Sequence, residues 1–175
     1  MFSVIFPGQG SQIVGMGKDL HSKYEIIKKL FKEADEILGF SISNIVLDGP
    51  KEKLDLTENT QPAIFLLGYS IFNLLKKENF IDLSKAKFFA GHSLGEYTAL
   101  ASAEVLSFSE TLKILKIRGN AMQNSVPKGE GGMVAVLGSD IKKIEDIINN
   151  NSKFYECFVA NDNSDGQIVV SGKTN

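Results

Sequence analysis

The chain has 175 residues, of which 43% are hydrophobic and 23% charged, and its formal net charge is −2. This composition is ordinary for a globular protein with a buried core, and the small negative charge argues against a nucleic-acid partner, which usually requires a basic patch. No apolar run approaches the roughly 18 residues of a membrane span, and the single cysteine, Cys157, excludes an internal disulfide framework. We therefore expect a cytoplasmic protein with no nucleic-acid or membrane partner.

The first half of the sequence predicts one strand followed by helices. Residues 2–6, with no basic stretch before them, are typical of a buried strand and not of a signal peptide. Apolar residues then recur at every third or fourth position from Leu20 to Leu38, which predicts one amphipathic helix ended by Gly39. Residues 59–62, Asn-Thr-Gln-Pro, predict the cap and early proline of a second helix, which is apolar on nearly every side and therefore buried.

In the second half of the sequence, the pattern of apolar and polar residues changes at the glycine-rich residues 129–132. Before them, Ser107 and Glu110 have the spacing of a capping box, which predicts a helix that ends before Pro127. After them, the pattern predicts a strand at 133–137, a helix at 140–149, a strand at 155–160, a polar turn at 161–166 and a strand at 167–171. This β-α-β-β order is the first two-thirds of a split β-α-β-β-α-β unit of ferredoxin-like type. We expect the chain to be the N-terminal portion of a longer protein, with residues 1–128 and 129–175 in different subdomains.

A G-x-S-x-G run at residues 91–95 is the strongest functional signal in the sequence. It follows a predicted strand at 87–90 and precedes a predicted helix, and a serine at such an elbow holds its hydroxyl clear of the sheet. The flanking glycines suit a tight elbow that leaves no room for a Cβ. The motif alone is more often a plain turn, but the strand–turn–helix setting favours Ser93 as a nucleophile.

A serine nucleophile needs a general base, and the sequence holds two histidines. His92 is the immediate neighbour of Ser93, and adjacent side chains on an elbow point apart. His21 lies on a predicted solvated helix face. Neither histidine is a convincing base.

Stabilisers of an oxyanion are easier to predict. One is the backbone N–H of Leu94, the residue after the nucleophile, and the second comes from the loop Gly8-Gln9-Gly10 after the first strand. A dinucleotide-binding loop is the competing interpretation of these glycines. It would need a glycine where Ile13 stands, and no Walker lysine follows.

Arg118 is the only arginine among 19 basic residues. A guanidinium grips a carboxylate through two parallel hydrogen bonds, which lysine cannot do. A surface or structural role is the alternative. The functional interpretation is a clamp for an anionic acyl group carried by a thioester. We find no metal-ligand spacing and no cofactor motif.

Four segments together resemble the malonyl-CoA:acyl carrier protein transacylases of bacterial-type fatty acid synthesis. They are residues 6–12, 60–63 and 91–96, and Arg118-Gly119 ahead of Met122-Gln123. The resemblance implies an α/β fold, with an α/β-hydrolase-like large subdomain, a parallel sheet and an inserted ferredoxin-like small subdomain. It implies no permanently bound cofactor, malonyl-CoA as substrate and acyl carrier protein as partner.

The resemblance also implies roles for individual residues. Ser93 would take malonyl from CoA and pass it to the phosphopantetheine thiol of the carrier protein. Gln9 and Leu94 would give the oxyanion-hole amides. The substrate would be bound by Arg118, which would hold the malonyl carboxylate, together with His92 and Gln61.

The family's catalytic histidine and a supporting glutamine lie beyond the small subdomain and have no counterpart in the 175 residues. We therefore expect the activity of the full-length protein and leave that of this chain open. Three alternatives stand beside this interpretation. They are an acyltransferase domain of a polyketide-type synthase, a serine hydrolase of esterase type, for which an arginine clamp has no use, and an inactive fragment that binds CoA or the carrier protein.

Overall fold

The computed structural model describes residues 1–127 and 129–174 and has an α/β fold. The chain divides into two compact units, of which the first is Met1–Gln123 and the second begins at Asn124. This division lies a few residues before the subdomain boundary predicted at 128/129. Among the described residues, no helix has both the length and the apolar character needed to cross a membrane.

The first unit holds a pair of parallel strands, β1 (Phe2–Phe6) and β2 (Ala86–Gly91), as predicted. Its helices are α1 (Lys18–Lys23), α2 (Glu25–Leu38), α3 (Ile42–Asp48), α4 (Lys51–Leu54), α5 (Thr57–Lys77), α6 (Leu94–Ser102) and α7 (Phe108–Gln123). Phe6 is the register partner of Gly91, so both strands end at the same edge. The loops that follow them therefore start side by side, and this positions the candidate site.

One face of the strand pair packs on the helices and the other is open. Phe6 meets the edge of the Phe72 ring on α5 at 6.2 Å between centroids, and Phe89 meets the same ring at 5.8 Å. Neighbouring residues in a strand point to opposite faces. Accordingly Ile5 and Phe88 are 75% and 70% exposed.

Helix α5 is the core of the first unit, as its all-round apolar sequence predicts. It packs against α2, α6 and α7. The prediction that residues 59–62 open this helix is wrong, because it begins at Thr57 and Pro62 lies inside it. The side chains that looked like caps serve the preceding turn instead: Asn59 Nδ2 donates to the Lys53 carbonyl and Thr60 Oγ1 to the Leu54 carbonyl.

The helix predicted from Leu20 to Leu38 is two helices, α1 and α2. Tyr24 has an extended backbone, at φ −116° and ψ 119°, and breaks the helix without disturbing the apolar spacing. The predicted end is confirmed: Gly39 is left-handed, at φ 74°, and its N–H donates to the Asp35 carbonyl.

The capping box at the start of α7 is also confirmed. The Ser107 N–H donates to Glu110 Oε2 at 3.0 Å, and the Glu110 N–H donates to Ser107 Oγ at 3.2 Å. Two amides at the helix start are thereby satisfied reciprocally. The helix ends at Gln123, before Pro127, as expected.

The second unit follows the predicted β-α-β-β order. Its elements are β3 (Gly131–Leu137), α8 (Ile141–Asn151), β4 (Cys157–Ser164) and β5 (Gln167–Lys173). The three strands are antiparallel, with β5 between β3 and β4. The polar turn predicted at 161–166 is wrong in extent: β4 continues to Ser164, with register shifts that accommodate its polar residues, and the turn is confined to 165–166. Cys157 is a free thiol and is half-buried.

Candidate active site

Ser93 occupies the predicted elbow between β2 and α6. Its φ of 53° and ψ of −117° lie in a region that non-glycine residues rarely adopt. The glycines around it are required by contact: a Cβ on Gly91 would lie 1.9 Å from the Gly95 carbonyl carbon, and one on Gly95 would lie 2.5 Å from the Phe6 carbonyl oxygen. The strand, the elbow and the helix are thus packed backbone to backbone, and the serine is left exposed.

Leu94 is the first residue of α6. The amides at the start of a helix have no carbonyl one turn earlier within it, and the positive end of the helix dipole lies there. The next two amides bond locally, Gly95 to the His92 carbonyl at 2.9 Å and Glu96 to the Ser93 carbonyl at 3.0 Å. The Leu94 amide directly follows Ser93 in the chain and lies at a helix end that favours negative charge.

Arg118 reaches the serine from α7. Its Nη2 donates to Ser93 Oγ at 3.1 Å and its Nη1 donates to Gln61 Oε1 at 2.6 Å. The guanidinium carbon lies 5.8 Å from the centroid of the Tyr97 ring on α6. A guanidinium has donors only and stays protonated, so this contact orients the serine oxygen and cannot take its proton.

Gln61 lies behind Arg118 in the interior. It is fully buried, and its Nε2 donates to Met122 Sδ at 3.3 Å. Both ends of the amide are therefore used within the protein. This arrangement fixes Arg118, whereas the direct substrate contact predicted for Gln61 remains a prediction.

Residues 7–12, which we call the oxyanion loop, leave β1 next to the elbow. The His92 N–H donates to the Phe6 carbonyl at 3.2 Å. A Cβ on Gly8 would lie 2.6 Å from His92 Nδ1, so the histidine ring rests against this loop. Gln9, the other predicted oxyanion residue, is exposed. The structure thus brings Gln9, His92, Ser93 and Leu94 to one edge of the strand pair.

The second histidine is elsewhere in the unit. His21 is half-buried rather than solvated, and its ring centroid lies 5.1 Å from that of Phe31. The prediction of a solvated face for His21 is wrong, because the ring covers the side of a core phenylalanine. It gives no support to a catalytic role.

Sequence reasoning missed the contacts that connect the site to α5. Gln9 Nε2 donates to Thr57 Oγ1 at 3.2 Å, and the Thr57 N–H donates to Gln123 Oε1 at 3.3 Å. Gly119 lets α7 approach this point, since a Cβ there would lie 2.6 Å from Glu58 Cα. These partners are far apart in the sequence. The only signal for them was the presence of Gly119 and Gln123 beside Arg118 in the resembling segment.

Among the described residues, no group of three or more His, Cys, Asp or Glu side chains could hold a metal ion. The chemistry available at this site is that of the serine hydroxyl, the helix amides and the guanidinium. Such a set suits acyl transfer, in which a nucleophile is acylated and an oxyanion is stabilised.

Comparison with known protein sequences gives one consistent result. The family described as the acyl transferase domain matches residues 3–175. The malonyl CoA-acyl carrier protein transacylase of Haemophilus influenzae is 42% identical over 171 residues, which make up 98% of this chain and 54% of that protein. The transacylase of the same name from Bacillus subtilis is 41% identical over 171 residues, covering 96% of this chain and 52% of that protein. The chain spans about half the length of the curated relatives it matches.

Comparison with solved structures agrees. The acyl-carrier-protein-S-malonyltransferase of Bartonella henselae superposes with a TM-score of 0.92 at 42% identity, covering 99% of this chain and 55% of that one. A malonyl-transacylase solved in complex with a type II PKS acyl-carrier protein gives a TM-score of 0.91 at 35% identity, with coverage of 99% and 55%.

Proposed function

We propose that this chain, which belongs to the acyl transferase domain family, supplies the nucleophile, the oxyanion amides and the carboxylate clamp of a malonyl-CoA:acyl carrier protein transacylase of fatty acid synthesis. The observation that carries the proposal is the bond from Arg118 Nη2 to Ser93 Oγ at 3.1 Å. This contact joins a guanidinium, a group suited to binding a carboxylate, to the serine of a strand–elbow–helix motif, and it supports the roles proposed for both residues.

In the proposed reaction, Ser93 Oγ attacks the thioester carbonyl of malonyl-CoA. The negative charge that develops on the carbonyl oxygen is stabilised by the backbone N–H groups of Leu94 and Gln9. Collapse breaks the carbon–sulfur bond and releases CoA, leaving a malonyl ester on Ser93. The phosphopantetheine thiol of acyl carrier protein then attacks this ester, forms the new thioester and regenerates the serine hydroxyl.

The serine proton needs an acceptor, and Arg118 cannot be one. The relatives are about twice as long as this chain. We propose that a histidine in the part of them that this chain does not match takes the serine proton and gives it to the leaving thiol. His92 rests its ring against Gly8. It is better suited to shaping the elbow, and its predicted contact with substrate remains a proposal.

The proposed clamp predicts a preference for malonyl over neutral acyl groups. In a malonyl ester the carboxylate is one carbon away from the ester carbonyl, close to the guanidinium that already bonds Ser93 Oγ. Acylation turns that oxygen into a weak ester acceptor, so the Nη2 donor becomes available to the carboxylate. Nη1 keeps its bond to Gln61, which holds the guanidinium plane in place. An acetyl group would leave the freed donor unpaired.

The finer architecture is proposed on the same basis. Residues 1–128 are part of an α/β-hydrolase-like large subdomain, supported by the parallel strands and the elbow. Residues 129–175 are part of a ferredoxin-like small subdomain, supported by the antiparallel order β3-β5-β4. Acyl carrier protein is the proposed partner, malonyl-CoA the substrate and the cytoplasm the compartment.

The test is acyl selectivity in the protein expressed from its whole gene. Arg118→Ala should reduce malonyl transfer by about 10–10⁴, since it removes one or two charge-assisted hydrogen bonds of roughly 1.5–3 kcal/mol each. Acetyl transfer should fall much less, because it loses only the contact that orients Ser93 Oγ. Lys113→Ala, on the exposed face of the same helix, is the matched control and should leave both rates as they are. Equal losses for the two donors in Arg118→Ala would overturn the clamp.

The nucleophile is tested by mass spectrometry of the protein after exposure to malonyl-CoA. The unsubstituted protein should gain one malonyl group and Ser93→Ala none. An adduct that persists in Ser93→Ala would place the nucleophile elsewhere. The second candidate function is that of a polyketide-type acyltransferase. The carrier protein that accepts the malonyl group distinguishes the two: transfer to a polyketide-synthase carrier protein but not to a fatty-acid carrier protein would favour the polyketide function.

A further inference from the structure

We infer that Ser11 and Gln12, with Asp55 at the junction of α4 and α5, are positioning residues that aim the Gln9 amide at the oxyanion. The inference rests on the proposed function, because it assigns a purpose to a loop that matters only if Ser93 is acylated. It adds to that function a group of side chains that touch neither substrate nor nucleophile.

The Gln9 N–H belongs to the peptide plane that also contains the Gly8 carbonyl. Ser11 Oγ donates to the Gly8 carbonyl oxygen at 2.9 Å. Since a peptide group is planar, holding its oxygen fixes the direction in which its N–H points. The Ser11 hydroxyl binds the oxygen at one edge of this plane and thereby fixes the direction of the Gln9 N–H, the proposed oxyanion donor, at the opposite edge.

The next peptide plane is held by a second side chain. Gln12 Oε1 accepts from the Gly10 N–H at 2.8 Å. Gly10 has a φ of +107°, which glycine alone adopts without strain. Two consecutive planes, on either side of the Gln9 Cα, are thus fixed by side chains of the loop itself, which leaves Gln9 little freedom to rotate.

Gln12 is in turn tied to the body of the unit. Its Nε2 donates to Asp55 Oδ1 at 2.9 Å, and the other oxygen of Asp55 is paired with Lys51. The hydrogen bond from Gln12, and then that from Lys51, lower the pKa of Asp55 below its ordinary value. The aspartate is therefore an ionised acceptor at neutral pH, and hydrogen bonds to a charged acceptor are about twice as strong as neutral ones.

A third connection reaches the same junction. Gln9 Nε2 donates to Thr57, the first residue of α5, and Gln61 on that helix bonds Arg118. The start of α5 therefore anchors the loop and the clamp together. Because the loop bonds converge on Asp55 and Thr57, this junction and not the loop alone determines where the amide points.

A double-substitution cycle tests the Gln12–Asp55 bond in the protein expressed from its whole gene. Gln12→Glu keeps an acceptor for the Gly10 N–H but places two carboxylates together, and should lower kcat about 10–100-fold, part of the 10²–10³ that an oxyanion donor supplies. Adding Asp55→Asn gives the introduced carboxylate a donor again, and the double variant should recover to within about threefold of the unsubstituted protein. Asp55→Asn alone still accepts from Gln12 and should have a small effect.

Three readouts separate positioning from general damage. The KM for malonyl-CoA should stay unchanged while kcat falls, the losses should be equal for malonyl and acetyl donors, and the thermal midpoint of the double variant should match that of Asp55→Asn. Ser11→Ala should show the same kcat loss at unchanged KM, and it provides the readout if Gln12→Glu fails to fold.

Two results would overturn the inference while leaving the function intact. One is full kcat in a folded Gln12→Glu or in Ser11→Ala, and the other is a folded double variant that does not recover although the unsubstituted protein forms the malonyl ester. If the unsubstituted protein forms no ester on Ser93, the proposed function fails and this inference falls with it.

Discussion

Gly95→Ala should destabilise the first unit by wedging β1 away from α6. The added Cβ would lie 2.5 Å from the Phe6 carbonyl oxygen, 2.7 Å from that of Pro7 and 3.0 Å from the Phe6 carbonyl carbon. All three are backbone atoms, so no side chain can move aside, and the strand end itself must shift. Overpacking of this kind costs roughly 1–3 kcal/mol, against at most about 1 kcal/mol gained from replacing a helical glycine.

Gly68→Ala is the matched control for that change. Gly68 is also helical, and a Cβ there would meet Thr98 Cγ2 at 3.4 Å and Phe6 Cδ1 at 3.7 Å, both ordinary contacts with side chains. We expect its thermal midpoint to stay or rise, whereas that of Gly95→Ala should fall by about 2–4 °C for each kcal/mol lost.

Thermal unfolding followed by circular dichroism measures both midpoints in one experiment. Acyl transfer should fall in Gly95→Ala as well, since the Pro7 carbonyl opens the oxyanion loop. A Gly95→Ala midpoint equal to or above that of Gly68→Ala would refute the reasoning. It would mean that α6 can slide along β1 without cost and that the elbow is not held by backbone contact.

Two further predictions concern charge. Gln61→Glu should pair internally with Arg118 Nη1, which lies 2.6 Å from the present amide oxygen, and so compete with the malonyl carboxylate. The ratio of malonyl to acetyl kcat/KM should fall at least ~10-fold relative to the uncharged Gln61→Met, and an unchanged ratio would contradict the clamp. Stability should decline in acid, because hydrogen bonds from Gln12 and Ser107 lower the pKa values of Asp55 and Glu110 below their ordinary 3.8 and 4.5. Their contribution is complete above about pH 5 and is lost as the pH falls through the lowered values, so a urea midpoint that holds steady down to pH 3 would argue against it.

The elbow could be predicted from the sequence because its cause is local. A strand, two glycines around a serine and a helix specify the turn within a few residues, and the structure has that geometry at Ser93. The capping box of Ser107 and Glu110 and the end of α2 at Gly39 were predictable for the same reason. In each case the deciding contact joins near neighbours in the chain.

Errors arose where tertiary contacts override a local pattern. The apolar spacing continues across Tyr24, so periodicity alone could not reveal the break between α1 and α2. Asparagine is common at helix N-caps, but the Asn59 side chain instead donates a hydrogen bond to the carbonyl of Lys53, six residues earlier. The polar end of β4 was predicted as turn, but pairing with β5 and its register shifts keep the strand going to Ser164.

The supporting contacts of the site could not be predicted at all. Gln12 meets Asp55, and Thr57 meets both Gln9 and Gln123, over long stretches of sequence. Amides and hydroxyls of this kind occur throughout a protein surface. Only the fold shows which of these side chains contact each other, and therefore which of them hold residues 7–12 in place.

The parallel pairing of β1 with β2 also has a kinetic consequence. Phe2 faces Ala86, so the pair cannot form until the whole of α1 to α5 has been looped between its strands. Closing so long a loop costs conformational entropy before any strand contact offsets it, and it is expected to limit the rate at which this unit folds. Because residues 7–12 follow β1 and Ser93 follows β2, the Gln9 amide and the proposed nucleophile come together only when the two strands pair. During synthesis, residues 7–12 can take their place beside Ser93 only after β2 and the start of α6 have left the ribosome.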